Sequence, residues 1–272
     1  MPPVADLLPM LGLLIVIGGI AGVIAGLLGV GGGIVLVPAF FYAFSYLGYG
    51  GPQLMQVCLA TSLATIVVTS VRSVHAHNRR GAVDWAILRG WAPGIALGAV
   101  IGVLVASGLR TPALQAIFGA LALTVALYLG FGRAEWRIGP AMPRGPVRAL
   151  LSPAVGFLSV LMGIGGGSFG VPLMSLYGVP IHRAVATAAG FGVLIAVPAV
   201  IAFLLLPVAA PPPLTVGAVN LPAFAVIIAM TLITTPVGVK LAHGTDPRRL
   251  RRVFALFIGI VALNMLRKVA GW

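Results

Sequence analysis

Two short stretches carry residue types from which an anion site could be built. GLLGVGGGIVLVP, Gly26 to Pro38, sets Gly31, Gly32 and Gly33 in an otherwise apolar run. LMGIGGGSFGVP, Leu161 to Pro172, repeats the pattern with Gly165, Gly166 and Gly167, and a proline follows at the same distance. Glycine costs about 1 kcal/mol relative to alanine inside a helix, so a glycine triplet marks a helix break. At a break no Cβ shields the backbone, and N–H groups can face a ligand. The half-helix that restarts near Ile34 or Ser168 offers unsatisfied donors and the positive end of its dipole. That is a ready site for a small oxyanion. Ser168 stands where a helix cap is expected.

Hydroxyls and one arginine add to the candidate set. Thr61, Ser62 and Thr65 lie near the middle of the apolar Leu54–Val71 run, and Thr187 lies in a similar run later on. Hydroxyls donate well to an oxyanion, but in membrane helices they also bond back to their own backbone. Arg183, beside His182, opens the Thr187 run and suits either an anion in passage or a topology signal. Gln56 occupies the position matching His182 and is equally open.

Other chemistries find little support. The acids are Asp6, Asp84, Glu135 and Asp246, all in loops or at segment ends. An intramembrane carboxylate relay is therefore missing, which argues against cation transport. Asp84 and Asp246 suit helix caps. His75 and His77 share a basic loop with no Cys or Glu nearby, so no metal site is expected. GGGSFG fits G-x-G-x-x-G but has no βαβ setting and no acidic partner about 20 residues on. The single cysteine, Cys58, reads as a small buried hydrophobe. No enzyme constellation and no cofactor are expected.

Composition defines the elements that must position these residues. The chain is 60% hydrophobic and 8% charged, with mean hydropathy +1.13. A soluble domain carries about 25% charged residues. Leu11–Leu28, Leu54–Val71, Ile95–Ala106, Ala113–Phe131, Ala184–Leu206, Ala223–Val239 and Val253–Leu266 contain no charge. Several approach the ~20 residues that cross a bilayer as a helix. The expectation is an all-α polytopic membrane protein. The N-terminus lacks the basic segment of a signal peptide, so the first run is expected to stay as a membrane helix. The net charge of +13 comes from short loops between apolar runs. That placement reads as topology signals, not as a nucleic-acid face. The expected partners are the lipid bilayer and a small anionic substrate; a homo-oligomer is left open.

The chain also repeats itself. Gly29, Gly31, Gly32, Gly33 and Pro38 align with Gly163, Gly165, Gly166, Gly167 and Pro172. CLATS at 58–62 resembles AVATA at 184–188, and GAVD at 81–84 matches GAVN at 217–220. Gly102, Ala106, Gly108, Leu114 and Phe118 then align with Gly238, Ala242, Gly244, Leu250 and Phe254. The halves are 1–140 and 141–272, joined by the basic segment Arg133–Arg148. If each glycine motif is the tip of a hairpin, each half has a hairpin plus three crossings. All but three of the 17 basic residues (Arg110, Arg267 and Lys268) then share one side, the cytoplasmic one. A single interrupted crossing divides the charges far more evenly. The expectation is two inverted repeats with both termini outside, the architecture of secondary transporters.

These motifs together resemble the TauE/SafE family of membrane permeases. The likeness rests on GLLGVGGGIVLVP, QVCLATSLAT, HAHNRRGAVDW, the helix with Pro93, Gly94, Gly98 and Gly102, and GIGGGSFGVP with VATAAG. It implies a multi-pass transporter of the cytoplasmic membrane that exports a small sulfur-containing anion, sulfite or an organosulfonate such as sulfoacetate. The paired glycine motifs and the threonine segments would be its site elements. Alternating access is the expected mechanism. An anion channel, or a membrane subunit serving a soluble partner of sulfur metabolism, are the alternatives. Ser168 replaces Ile34, and Ala188 replaces Ser62, so the half-sites are not equivalent.

Overall fold

The computed structural model describes residues 4–28, 33–132, 136–243 and 246–271. Ten helices are present among them: α1 (Val4–Leu28), α2 (Gly33–Tyr46), α3 (Leu54–Asn78), α4 (Trp85–Gly108), α5 (Thr111–Phe131), α6 (Gly145–Leu161), α7 (Gly167–Leu176), α8 (Ile181–Leu204), α9 (Leu221–His243) and α10 (Pro247–Val269). A two-residue antiparallel ribbon, β1 (Thr215–Val216) with β2 (Val219–Asn220), leads into α9. Helices α3, α4, α5, α8 and the Leu221–Gly238 part of α9 are long and apolar enough to cross a membrane. Leu97, Ile101 and Leu104 of α4, Ile233 of α9, and Leu256, Ile260 and Leu263 of α10 are exposed. Such apolar outer faces suit lipid, not water. The chain is a multi-pass helical membrane protein.

Helix α3 forms the axis. Every residue from Leu54 to Ile66 is buried, which explains why this helix is apolar on all sides. It lies against α8, while α1 lies against α9, α4 against α6 and α5 against α10. Small residues bring the second and third of these pairs close. Gly94, Gly98 and Gly102 form a spaced row on α4 facing Ser152, Pro153 and Val160 of α6. A Cβ on Gly98 would overlap the Pro153 carbonyl oxygen. Gly18 on α1 faces Met230 of α9, and Gly238 of α9 faces Val23 and Leu27 of α1. In both pairs the contacts advance together along the two helices, so each pair runs parallel.

Loop contacts show which helix ends lie together. The N–H groups of Ile138 and Gly139 donate to the Leu176 carbonyl at 2.8 and 3.4 Å. The end of α7 therefore lies beside the segment that leads into α6, and the two form a hairpin. Arg251 of α10 donates to the carbonyls of Tyr128 and Gly132 near the same end. At the opposite end Thr111 N–H donates to Pro52 O at 2.7 Å, and Gln53 reaches Pro207 and Ala209. Lys268 sits over the ring of Tyr42, 4.9 Å from its centre. With 10 residues, α7 is about 15 Å long, half the ~30 Å of a bilayer core.

Candidate functional site

The second glycine motif begins with a helix stop. Gly163 has φ +59°, a left-handed conformation that costs other residues about 1–2 kcal/mol. Its N–H donates to Val160 O, and that of Ile164 donates to Ser159 O, both at 2.9 Å. These two bonds close α6 with a Schellman motif. Ile164 and Gly165 follow as buried, non-helical backbone, the buried Gly166 is the N-cap with right-handed helical dihedrals, and α7 begins at Gly167. Among the described residues, the N–H groups of Gly165, Gly166, Gly167 and Ser168 find no acceptor on the protein. The triplet thus leaves a run of unmet donors inside the bundle.

Three other elements close around it. Gly33 opens α2 against the break: a Cβ there would lie 2.9 Å from Gly163 O and 3.0 Å from Ile164 Cα. The two glycine motifs therefore meet. Ser62 of α3 donates its hydroxyl to Gly163 O at 2.7 Å, fixing the turn. Ser70 lies two helical turns further along the same face of α3. Its Oγ packs over Gly192 of α8, 3.9 Å from where a Gly165 Cβ would be. Among the described residues the Ser70 hydroxyl has no hydrogen-bond partner. The sequence reading missed it; its signal was the four-residue spacing Ser62, Ile66, Ser70. From α8, Phe191 and Gly192 press on Gly166, where a Cβ would lie 2.8 Å from Gly192 N.

The threonines hold the frame. Thr61 Oγ1 accepts the N–H of Asn220 at 3.0 Å, and Thr187 Oγ1 accepts the N–H of Asp84 at 2.9 Å. Both threonines are fully buried. Thr61 thus ties α3 to the residue that opens α9, and Thr187 ties α8 to the residue that opens α4. Asp84 caps α4 through the N–H groups of Ala86 and Ile87, as expected. Asn220 accepts from Ala223 N–H in the same way at the start of α9. Gln56 donates to Ala106 O and Leu109 O, bracing the end of α4.

One expected position differs, that of Ser168, while Arg183 opens a helix as expected. Ser168 caps nothing: the cap position is Gly166, without a side-chain bond, and Ser168 is already inside the first turn of α7. The helix restarts earlier than expected because Gly166 itself takes up right-handed helical dihedrals, φ −63° and ψ −15°. Arg183 is not at the break but at the bundle end, where it pairs with Asp84 at 3.2 Å. Gly31 and Gly32 lie outside the described residues.

A helix break lined by open backbone donors, buried among membrane-length helices, belongs to the class of polytopic membrane transporters. Comparison with known proteins makes the class specific. The family model described as sulfite exporter TauE/SafE matches residues 14–265, and the chain belongs to that family. It is similar to a protein of Haemophilus influenzae described as a probable membrane transporter protein. The two are 31% identical over 260 residues, covering 94% of this chain and 98% of the relative. A probable membrane transporter protein of Methanocaldococcus jannaschii is 27% identical over 263 residues, covering 96% and 97%. No solved structure matches the chain.

Proposed function

We propose that the protein is a secondary transporter exporting a small sulfur-containing anion, sulfite or an organosulfonate such as sulfoacetate. The observation that carries this reading is the row of unmet N–H groups from Gly165 to Ser168, within a family described by sulfite export. The anion would sit at the start of α7, held by those N–H groups and the positive helix end, with the Ser70 hydroxyl opposite. Gly33 and Ser62 shape the turn, and Thr61 and Thr187 hold the surrounding helices. Ile164, Gly165 and Gly166 are buried, which favours a carrier that occludes its substrate over an open channel.

Alternating access follows from the proposed inverted repeats, 1–140 and 141–272. Exchanging α1 with α6, α2 with α7, α3 with α8, α4 with α9 and α5 with α10 turns the pair α1–α9 into α6–α4. The same exchange turns the Thr61–Asn220 bond into the Thr187–Asp84 bond. These reciprocal contacts support the repeat. With the basic end in the cytoplasm, both termini lie outside.

Flux into and out of proteoliposomes tests the reading, with sulfite and sulfoacetate side by side and chloride as control. Saturable, counter-transport-competent movement of either sulfur anion is expected. Folded protein that moves neither sinks the proposal; non-saturable chloride flux would make it a channel.

A further inference from the structure

A pocket of about 360 Å3 opens at the basic end of the bundle, apart from the helix break. The segment before α6, the end of α7 and the starts of α4 and α8 wall it. Its charged lining is three guanidiniums, Arg144, Arg148 and Arg183, against the single carboxylate of Asp84. Arg183 is taken by Asp84 at 3.2 Å. Among the described residues, the guanidiniums of Arg144 and Arg148 have no hydrogen-bond or acidic partner. Arg148 is also half-buried, so its charge is only partly hydrated.

Backbone adds to the same field. Three helices begin here. Asp84 caps α4, but neither Arg144 at the start of α6 nor Pro180 at the start of α8 supplies a side-chain cap. The positive ends of α6 and α8 therefore add to the guanidiniums. Among the described residues that line the pocket, Asp84 is the one acid that answers this potential, and it does so with a single oxygen on Arg183, its other oxygen being spent on the α4 cap. At the positions equivalent to Arg183 and Asp84 the other half carries Val57 and Asn220, so the feature belongs to one end only.

We infer that this pocket binds an oxyanion through Arg144, Arg148 and Arg183, and that the ligand displaces Asp84 from Arg183. Guanidinium forks suit an anion with two or more acceptor oxygens, whether free in solution or as the phosphate of a lipid headgroup. On the transport reading above, a free anion held here waits one half-helix from the break, since α7 runs from the pocket at Tyr177 to the open donors at Gly167.

The test is protection of arginines from phenylglyoxal, mapped by peptide mass spectrometry on the full chain in a phosphate-free detergent. Sulfoacetate and short-chain phosphatidylglycerol are the two probes, and Arg110 at the opposite end is the internal control. Saturable protection of Arg144 and Arg148, but not Arg110, is expected from at least one probe. Protection by sulfoacetate identifies a free oxyanion; protection by the lipid alone identifies a headgroup site. R183Q should raise the half-protecting concentration about tenfold, the worth of one charge-assisted bond. D84N should lower it, because asparagine keeps the cap, as Asn220 does for α9, and frees Arg183. No protection by either probe, equal protection of Arg110, or a D84N variant that needs more ligand would overturn the inference. The readout involves no flux, so its failure and the failure of the transport reading are separate results.

Discussion

Ser70 and Gly165 are the residues through which the proposed site can be tested cleanly. Gly166 cannot serve, because a Cβ there would lie 2.8 Å from the Gly192 nitrogen of α8 and any substitution would report packing. Gly165 has more room: its Cβ would lie 3.2 Å from Ile66 Cγ2 and 3.9 Å from Ser70 Oγ. An alanine fits with a small shift of Ile66 and intrudes on the space between the donors and Ser70. Ser70→Ala removes one donor to an anion, worth about tenfold in affinity. Both variants are expected to raise the KM of sulfite flux about tenfold or more while thermal unfolding in detergent stays near wild type. A wild-type KM in both would exclude this face of α3 from the site. Thr61 and Thr187 illustrate what sequence could and could not give at this scale. Their placement within apolar helices was legible, but their partners, Asn220 and Asp84, lie 159 and 103 residues away, and only the packed bundle brings them together.

At the scale of elements, the glycine motif divides its labour. Gly163 ends α6, Gly165 and Gly166 form the buried turn between the two helices, and Gly167 starts α7. Gly163→Ala is expected to cost about 2 kcal/mol: the left-handed backbone is strained for alanine, and the new methyl would lie 2.6 Å from Val37 Cγ2. Gly50→Ala, where a Cβ meets nothing within 4 Å, is the matched control and should unfold near the wild-type temperature. Equal melting of the two variants would show that the turn does not hold the hairpin. The break at Gly165 and Gly166 was legible because glycine triplets are rare in apolar helices. The early restart of α7 was not, because glycine permits helical and non-helical dihedrals alike and only Gly166 packed against α8 fixes the register. The use of Gly94, Gly98 and Gly102 as a helix seam was readable from spacing, but not its partner α6.

For the molecule as a whole, the apolar runs and loop charges announced a helical membrane protein, and the helices follow those runs. Sidedness is the main proposition left to experiment. Cys58 is fully buried, so cysteine labelling starts from a silent background. Pro211→Cys, in the exposed loop before β1, should react with an impermeant maleimide on intact cells. Ala141→Cys, at the basic end, should react only after permeabilisation. The reverse pattern would invert the assignment of the ends and the direction of export with it. The break also has an acid–base consequence. Gly163 to Ser168, Ser62, Ser70, Ile66, Phe191 and Gly192 contain no group that titrates near neutrality. Amide and hydroxyl donors keep their strength across the physiological range, so they cannot select one protonation state by changing their own. On the proposed reading, a proton that accompanies the anion through the break travels on the anion itself, and the pH profile of binding there follows the substrate's ionisation.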